Sequence, residues 1–133
     1  MATIATLHRM SAAQLADRIR AGARSLAIVD VRDDDHIGGH IKGSLHFASG
    51  TLDVMMPTLI RRLEDVETVV FHCALSQQRG PGAALRYLRE KKPEGTKPQT
   101  VYILDRGFVG WQEVYGEDTQ LTENFRKEIW QNY

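Results

Sequence analysis

A single cysteine, Cys73, stands six positions before Arg79 and directly after the run Thr68-Val69-Val70-Phe71-His72. That run is short, apolar and partly β-branched, which reads as a buried strand. Such a strand delivers Cys73 to the carboxyl edge of a sheet, where the ligand crevices of open α/β folds lie. Gly80-Pro81 then opens a helix, with Ala84, Leu85 and Leu88 on one face. Amides at a helix start lack internal partners and carry the positive end of the helix dipole, so they bind oxyanions. Arg79 adds a planar fork of donors that suits a tetrahedral oxyanion. The segment Ala74, Leu75, Ser76, Gln77, Gln78 and Arg79 is therefore expected to hold the substrate oxygens, and Cys73 and Arg79 to be catalytic.

The same surroundings bear on reactivity. A free thiol is only about 3% ionised at pH 7. A helix N-terminus and a neighbouring guanidinium favour the thiolate, which is the nucleophile. Attack on phosphorus would give a cysteinyl-phosphate that water then hydrolyses. A bare cysteine–arginine spacing could equally belong to a structural cysteine. The strand before it, the Gly-Pro helix start after it and the adjoining His72 favour the reactive reading.

These residues need a frame. Ser11-Ala12-Ala13-Gln14 has the form of a capping box, followed by Leu15 and Ile19 at helical spacing and a stop at Gly22. Leu26–Val31 reads as a strand buried on both faces. Gly38, Gly39 and Gly43 predict loops up to Gly50. Residues 52–64 have a helical pattern that Pro57 disturbs unless it lies in the first turn. Residues 91–98 form a charged turn and Thr100–Leu104 a third strong strand. Gly107 ends that strand ahead of an aromatic helix near 108–115, and the tail around 122–130 reads as helical, with Phe125 and Ile129 four apart. Alternating helix and strand in 133 residues imply one α/β domain, 1–133.

Composition restricts the partners. Formal net charge is zero, with 17 basic and 17 acidic residues, so nothing global favours nucleic acid or a membrane surface, and an anion site must be local. No apolar run approaches the roughly 18 residues of a membrane span, and Met1–Met10 lack a secretory apolar core. One cysteine forbids an internal disulfide and fits a reducing compartment, the cytoplasm or nucleus. Any chemistry that needs a second thiol must take it from another molecule.

The segment His72-Cys73-x-x-Ser76-x-x-Arg79-Gly80-Pro81 resembles the signature of the M-phase inducer dual-specificity phosphatases and of the related eukaryotic arsenate reductases, both of rhodanese fold. Asp30-Val31-Arg32, Gly39-His40-Ile41-x-Gly43-Ser44 and Gly107-Phe108-x-Gly110-Trp111 are similar to rhodanese landmarks in the same order. The likeness covers about residues 10–115 and leaves 116–133 as a helical extension. It implies a central, mostly parallel five-stranded sheet with helices on both faces. Rhodanese sulfurtransferases usually have a loop one residue shorter. The seven residues Cys73–Arg79 match the phosphatase and arsenate reductase length, a wider cradle that argues against sulfur transfer. A non-catalytic rhodanese-like binding domain is disfavoured because Cys73 and Arg79 are both kept. The resemblance implies a phosphorylated protein or a small oxyanion as partner and no cofactor, with external glutathione or glutaredoxin required for arsenate reduction.

Supporting roles follow. Asp30 and Arg32 resemble the rhodanese pair that fastens the first strand to nearby loops. His72 should point away from the pocket, because strand neighbours alternate faces, and support the loop through backbone hydrogen bonds. Ser76 is open between a hydrogen bond to the thiolate or loop and a purely structural place. His36, His40 and His46 lack metal-site spacing, so no metal is expected. Asp33-Asp34-Asp35 reads as a solvated turn, Arg106 as a surface residue, and Phe108 and Trp111 as core. The phosphatases carry an acid just before the loop arginine, whereas this chain has Gln78. Without that proton donor, good aryl leaving groups should be preferred over alkyl ones.

Overall fold

The computed structural model describes residues 6–91 and 98–131. The capping box is present: the Ser11 hydroxyl accepts from the Gln14 N–H (3.1 Å) and the Gln14 side chain accepts from the Ser11 N–H (2.9 Å). It starts α1 (Ala12–Arg20), which follows a short strand β1 (His8–Met10). The apolar runs become β2 (Leu26–Asp30), β5 (Thr68–His72) and β6 (Thr100–Leu104). Between β2 and β5 lie two two-residue strands, β3 (His40–Ile41) and β4 (Leu45–His46), in the glycine-rich stretch expected to be loop. A 3-10 turn (Ser49–Thr51) leads into α2 (Leu52–Arg62). Pro57 lies inside α2 rather than in its first turn, so the Asp53 carbonyl four residues back lacks its helical partner. Then come α3 (Arg79–Glu90) and α4 (Gly107–Tyr115). Of the charged turn at 91–98, residues 92–97 lie outside the described residues.

The main sheet has five strands in the order β1-β6-β5-β2-β4, and every pairing in it is parallel. Strand neighbours alternate faces, and the core divides accordingly. Val29, Val69, Phe71, Val101 and Ile103 pack with Leu52, Met56 and Leu59 of α2 and with Ala83, Ala84 and Tyr87 of α3. Ile28, Val70 and Leu104 pack on the other side with Leu15 and Ala16 of α1 and with Phe108, Val109 and Trp111 of α4. Helices thus cover both faces. β5 sits at the centre, buried from Val69 to His72, which explains its near-continuous apolar sequence.

The tail differs from the helix expected over 116–133. Thr122–Glu123 forms β7, antiparallel to β3, and among the described tail residues only Lys127–Trp130 is α-helical, as α5. Phe125 therefore precedes the helix that was expected to contain it. Two indoles help fix the tail to the domain: that of Trp111 donates to the Thr122 hydroxyl (2.9 Å), and the buried one of Trp130 donates to the Gly38 carbonyl (2.9 Å). Among the described residues no helix is long and apolar enough to cross a membrane.

Candidate active site

β5 ends at His72, and Cys73 follows at the sheet's carboxyl edge. The loop closes onto α3, whose first residue is Arg79, one earlier than Gly80-Pro81 suggested. Pro81 consequently falls in the first turn, where its missing N–H costs nothing. The Gly80 N–H points at the Cys73 sulfur (3.4 Å), so the thiol meets the amide end of α3. A Cβ at Gly80 would stand 3.3 Å from the Cys73 nitrogen, which favours glycine at this approach. Cys73, Ala74, Leu75, Gln77, Gln78, Arg79 and Asp35 line one pocket of about 290 Å³.

The loop is held from outside by its carbonyls. The Phe108 and Val109 N–H groups at the start of α4 donate to the carbonyls of Cys73 (3.0 Å) and Ala74 (2.9 Å). In a planar trans peptide the N–H opposes the C=O. Carbonyls drawn toward α4 therefore turn the Ala74 and Leu75 amides the other way. Gly107 permits this contact: its φ is +57°, and a Cβ there would lie 2.5 Å from both the Cys73 and Ala74 carbonyl oxygens. Arg9, from β1, reaches the Ser76 carbonyl (3.4 Å) while paired with Asp105 (3.1 Å). Ser76 is fully buried in the left-handed region, φ +56°. Its hydroxyl has no partner among the described residues, so neither the Cys73 sulfur nor the loop receives a hydrogen bond from it.

Behind the loop lies a buried polar layer. The His72 Nδ1–H donates to the Cys73 carbonyl (3.1 Å), the backbone support expected of it. Burial pushes the His72 ring below its ordinary range, and the nearby Asp30 only partly offsets that, so the ring is neutral at pH 7. Asp30 and Arg32 are both fully buried. Arg32 donates to both Asp30 oxygens, the shortest contact being 2.7 Å, and also to the Gly39 carbonyl (2.9 Å), with its guanidinium 4.3 Å above the Phe108 ring. Burial opposes the Asp30 charge. The charge of the His72 ring when it carries a proton, together with the Arg32 hydrogen bonds and charge, outweighs it, and the carboxyl lies below its ordinary range. This pair ties β2 to the Gly39 loop and the α4 face, the fastening role anticipated for it.

The acidic triplet requires a correction. Asp33 and Asp35 are not a solvated turn. Asp35 grips Arg79 end-on, with Nη1–Oδ1 at 2.8 Å and Nη2–Oδ2 at 2.6 Å, while Asp33 reaches Nη1 at 3.3 Å. Asp33 is itself fixed by the Ser49 hydroxyl (2.6 Å) and the Gly50 N–H (2.8 Å), and its own N–H holds Asp35 (2.9 Å). The hydrogen bonds from Arg79 hold the Asp35 carboxyl down at about 2, and the Arg79 guanidinium is raised in return. The sequence carried only a weak signal for this. Three adjacent acids are ordinary in a turn, and the arginine they meet lies 44 residues on. Gly107 and Arg9 were likewise not read as supports of the loop.

His36 stacks on His46 (3.8 Å between ring centres) and stands 5.7 Å from His40. Their Nε2 atoms face three separate acceptors: Asp30 (3.5 Å), the Arg32 carbonyl (2.6 Å) and Glu123 (3.2 Å). Among the described residues no group of three or more His, Cys, Asp or Glu is arranged to hold a metal ion. Arg106 is exposed and pairs with Glu113 (3.1 Å); Phe108 and Trp111 are core.

Known proteins resemble this chain in sequence and fold. The rhodanese-like domain family matches residues 11–114. Over 92 residues the chain is 51% identical to the dual specificity phosphatase Cdc25 of Arabidopsis thaliana, a match covering 66% of this chain and 62% of that protein. Over 108 residues it is 46% identical to arsenate reductase 2.1 of Oryza sativa subsp. japonica, covering 77% and 66% respectively. The chain thus spans somewhat under two thirds of the length of these two relatives. A solved structure of Ygr203w, described as a yeast protein tyrosine phosphatase of the rhodanese family, superposes with a TM-score of 0.84 at 31% identity, covering 98% of this chain and 100% of that one. Helices on both faces of a parallel sheet, a cysteine loop closing onto a helix start, and this set of relatives agree: the chain belongs to the rhodanese-like domain family, on the branch of the Cdc25-like phosphatases and arsenate reductases.

Proposed function

We propose that this protein is a cysteine-dependent phosphatase acting on aryl phosphomonoesters, including phosphotyrosine. The observation that carries the reading is the Cys73 sulfur lying 3.4 Å from the first-turn amide of α3, in one pocket with Arg79. The sulfur attacks phosphorus, the ester oxygen leaves, and water then cleaves the S–P bond to release phosphate and restore the thiolate. The loop amides and Arg79 hold the phosphoryl oxygens as charge builds on them. Gln78 cannot donate a proton to the leaving group. A phenolate, conjugate acid near 10, departs unaided far more readily than an alkoxide. Phosphotyrosine peptides should accordingly be hydrolysed much faster than phosphoserine peptides, and equal rates would refute the preference.

Arsenate reduction is a second reading, supported by the rice relative named as an arsenate reductase. Arsenate has the shape and charge of phosphate and fits the same cradle. Its reduction to arsenite consumes two electrons, and the chain offers one sulfur, so glutathione and glutaredoxin would supply the remaining thiols. The deciding experiment assays the wild type and Cys73→Ser side by side, on an aryl phosphate and on arsenate with glutathione plus glutaredoxin. Turnover of one substrate alone selects the branch. Undiminished activity of the Cys73→Ser protein on both would end the mechanism.

A further inference from the structure

Arg79, the expected clamp for a substrate oxyanion, already holds a carboxylate. Asp35 takes both terminal nitrogens of its guanidinium, at 2.8 and 2.6 Å, and Asp35 lines the same pocket as Cys73. An end-on carboxylate and an incoming phosphoryl group call on the same bidentate geometry of the same fork. The two partners differ in freedom. Asp35 is pinned by the Asp33 N–H, and Asp33 by Ser49 and Gly50, so the carboxylates form a fixed seat. Arg79 is a long side chain, about one third exposed. The charges also argue for exchange. With the seat occupied, two carboxylates share the one guanidinium, so the Arg79 charge is already matched before a doubly charged ligand arrives.

We propose that Asp35 is an internal competitor for the substrate oxyanion: at rest it holds the Arg79 fork, and ligand binding exchanges one bidentate partner for another. This rests on the reading of the pocket as an oxyanion site. The consequence is a weakened affinity for every oxyanion that needs Arg79, product phosphate included, which favours release after turnover and keeps ambient phosphate from filling the site. The opposite geometry makes a clear contrast. If the oxyanion instead uses the Nε–H edge of Arg79, which has no partner among the described residues, Asp35 would orient the fork and its loss would weaken binding.

The test is binding of inorganic phosphate by calorimetry to Cys73→Ser and to the double variant Cys73→Ser/Asp35→Asn, so that turnover plays no part. Removing a part-exposed, charge-assisted pair should tighten phosphate binding by about three- to tenfold. In an Arg79→Met background the same Asp35→Asn change should have no such effect. Asp35→Ser, whose hydroxyl can still accept the Asp33 N–H, serves as the second variant. Unchanged or weaker binding after the Asp35 substitution, with the Cys73→Ser protein still binding phosphate, overturns the competitor and leaves the oxyanion site standing. Failure of every form to bind phosphate removes the oxyanion reading and this proposal together. Loss of folding in both Asp35 variants would assign the residue a framework role and also overturn the proposal.

Discussion

Replacing Gly107 with alanine tests how the loop around Cys73 is held. At φ +57° an alanine costs about 1–2 kcal/mol relative to glycine. Its Cβ would also stand 2.5 Å from two carbonyl oxygens, those of Cys73 and Ala74. Carbon–oxygen contacts settle near 3.3 Å or beyond, so α4 and the loop must part by roughly 0.8 Å. That separation stretches the 3.0 and 2.9 Å bonds from the Phe108 and Val109 amides past useful length. Two lost backbone hydrogen bonds add about 2 kcal/mol, for a total near 3–4 kcal/mol. A domain of this size has roughly 7–15 kcal/mol in all, so the protein folds but melts on the order of 10 °C lower. The Ala74 and Leu75 amides lose their aim at the same time, and kcat on an aryl phosphate should fall more than tenfold. Thermal melting by circular dichroism and steady-state kinetics read both effects. A melting temperature within about 2 °C of wild type together with activity within about twofold would refute the claim that α4 aligns the loop.

Other perturbations probe the surrounding frame. Arg32→Met removes the guanidinium from the fully buried Asp30 charge and the Gly39 carbonyl, leaving Asp30 the backbone N–H of residue 32, and should cost about 3–5 kcal/mol in urea unfolding; a loss under about 1 kcal/mol would contradict the fastening role. Burial lowers His72 in the folded state, so its contribution is present above the unfolded value near 6.5 and is lost as pH falls through that value toward its depressed folded one. Stability should therefore drop as pH falls below about 6.5, and His72→Gln should flatten that drop in melting curves. Trp130→Ala empties a buried indole that contacts Phe108 at 5.3 Å and the Gly38 carbonyl, and should cost about 3–5 kcal/mol, against near zero if the tail were merely appended.

How much of this was legible in the sequence depended on the range of the signal. The strand–Cys73–loop–Arg79–helix order is local, and the folded chain keeps it with the helix starting one residue early. The apolar runs of β2, β5 and β6 are each read within five residues, and central β5 is buried on both faces from Val69 to His72. The Ser11–Gln14 capping box is likewise settled within four residues. What escaped was long-range. The partner of Asp35 lies far along the chain, so three adjacent acids looked like a solvated turn. β3 and β7 are two residues each and exist because they pair with one another, and neither announces itself alone. Gly107 reads locally as a strand break, and only the packed α4 shows that its missing side chain makes room for the Cys73 and Ala74 carbonyls.

The order of strands across the sheet has a consequence for biosynthesis. As the chain leaves the ribosome, β2 and β5 can pair early, and the Cys73 loop follows at once. The edge strand β1, made before the other described strands, has no sheet neighbour until β6 emerges, and Arg9, which braces Ser76, must wait with it. The α4 amides that draw the loop carbonyls outward are made later still. A nascent or truncated chain that stops short of Val109 thus carries Cys73 without the amides that orient its loop.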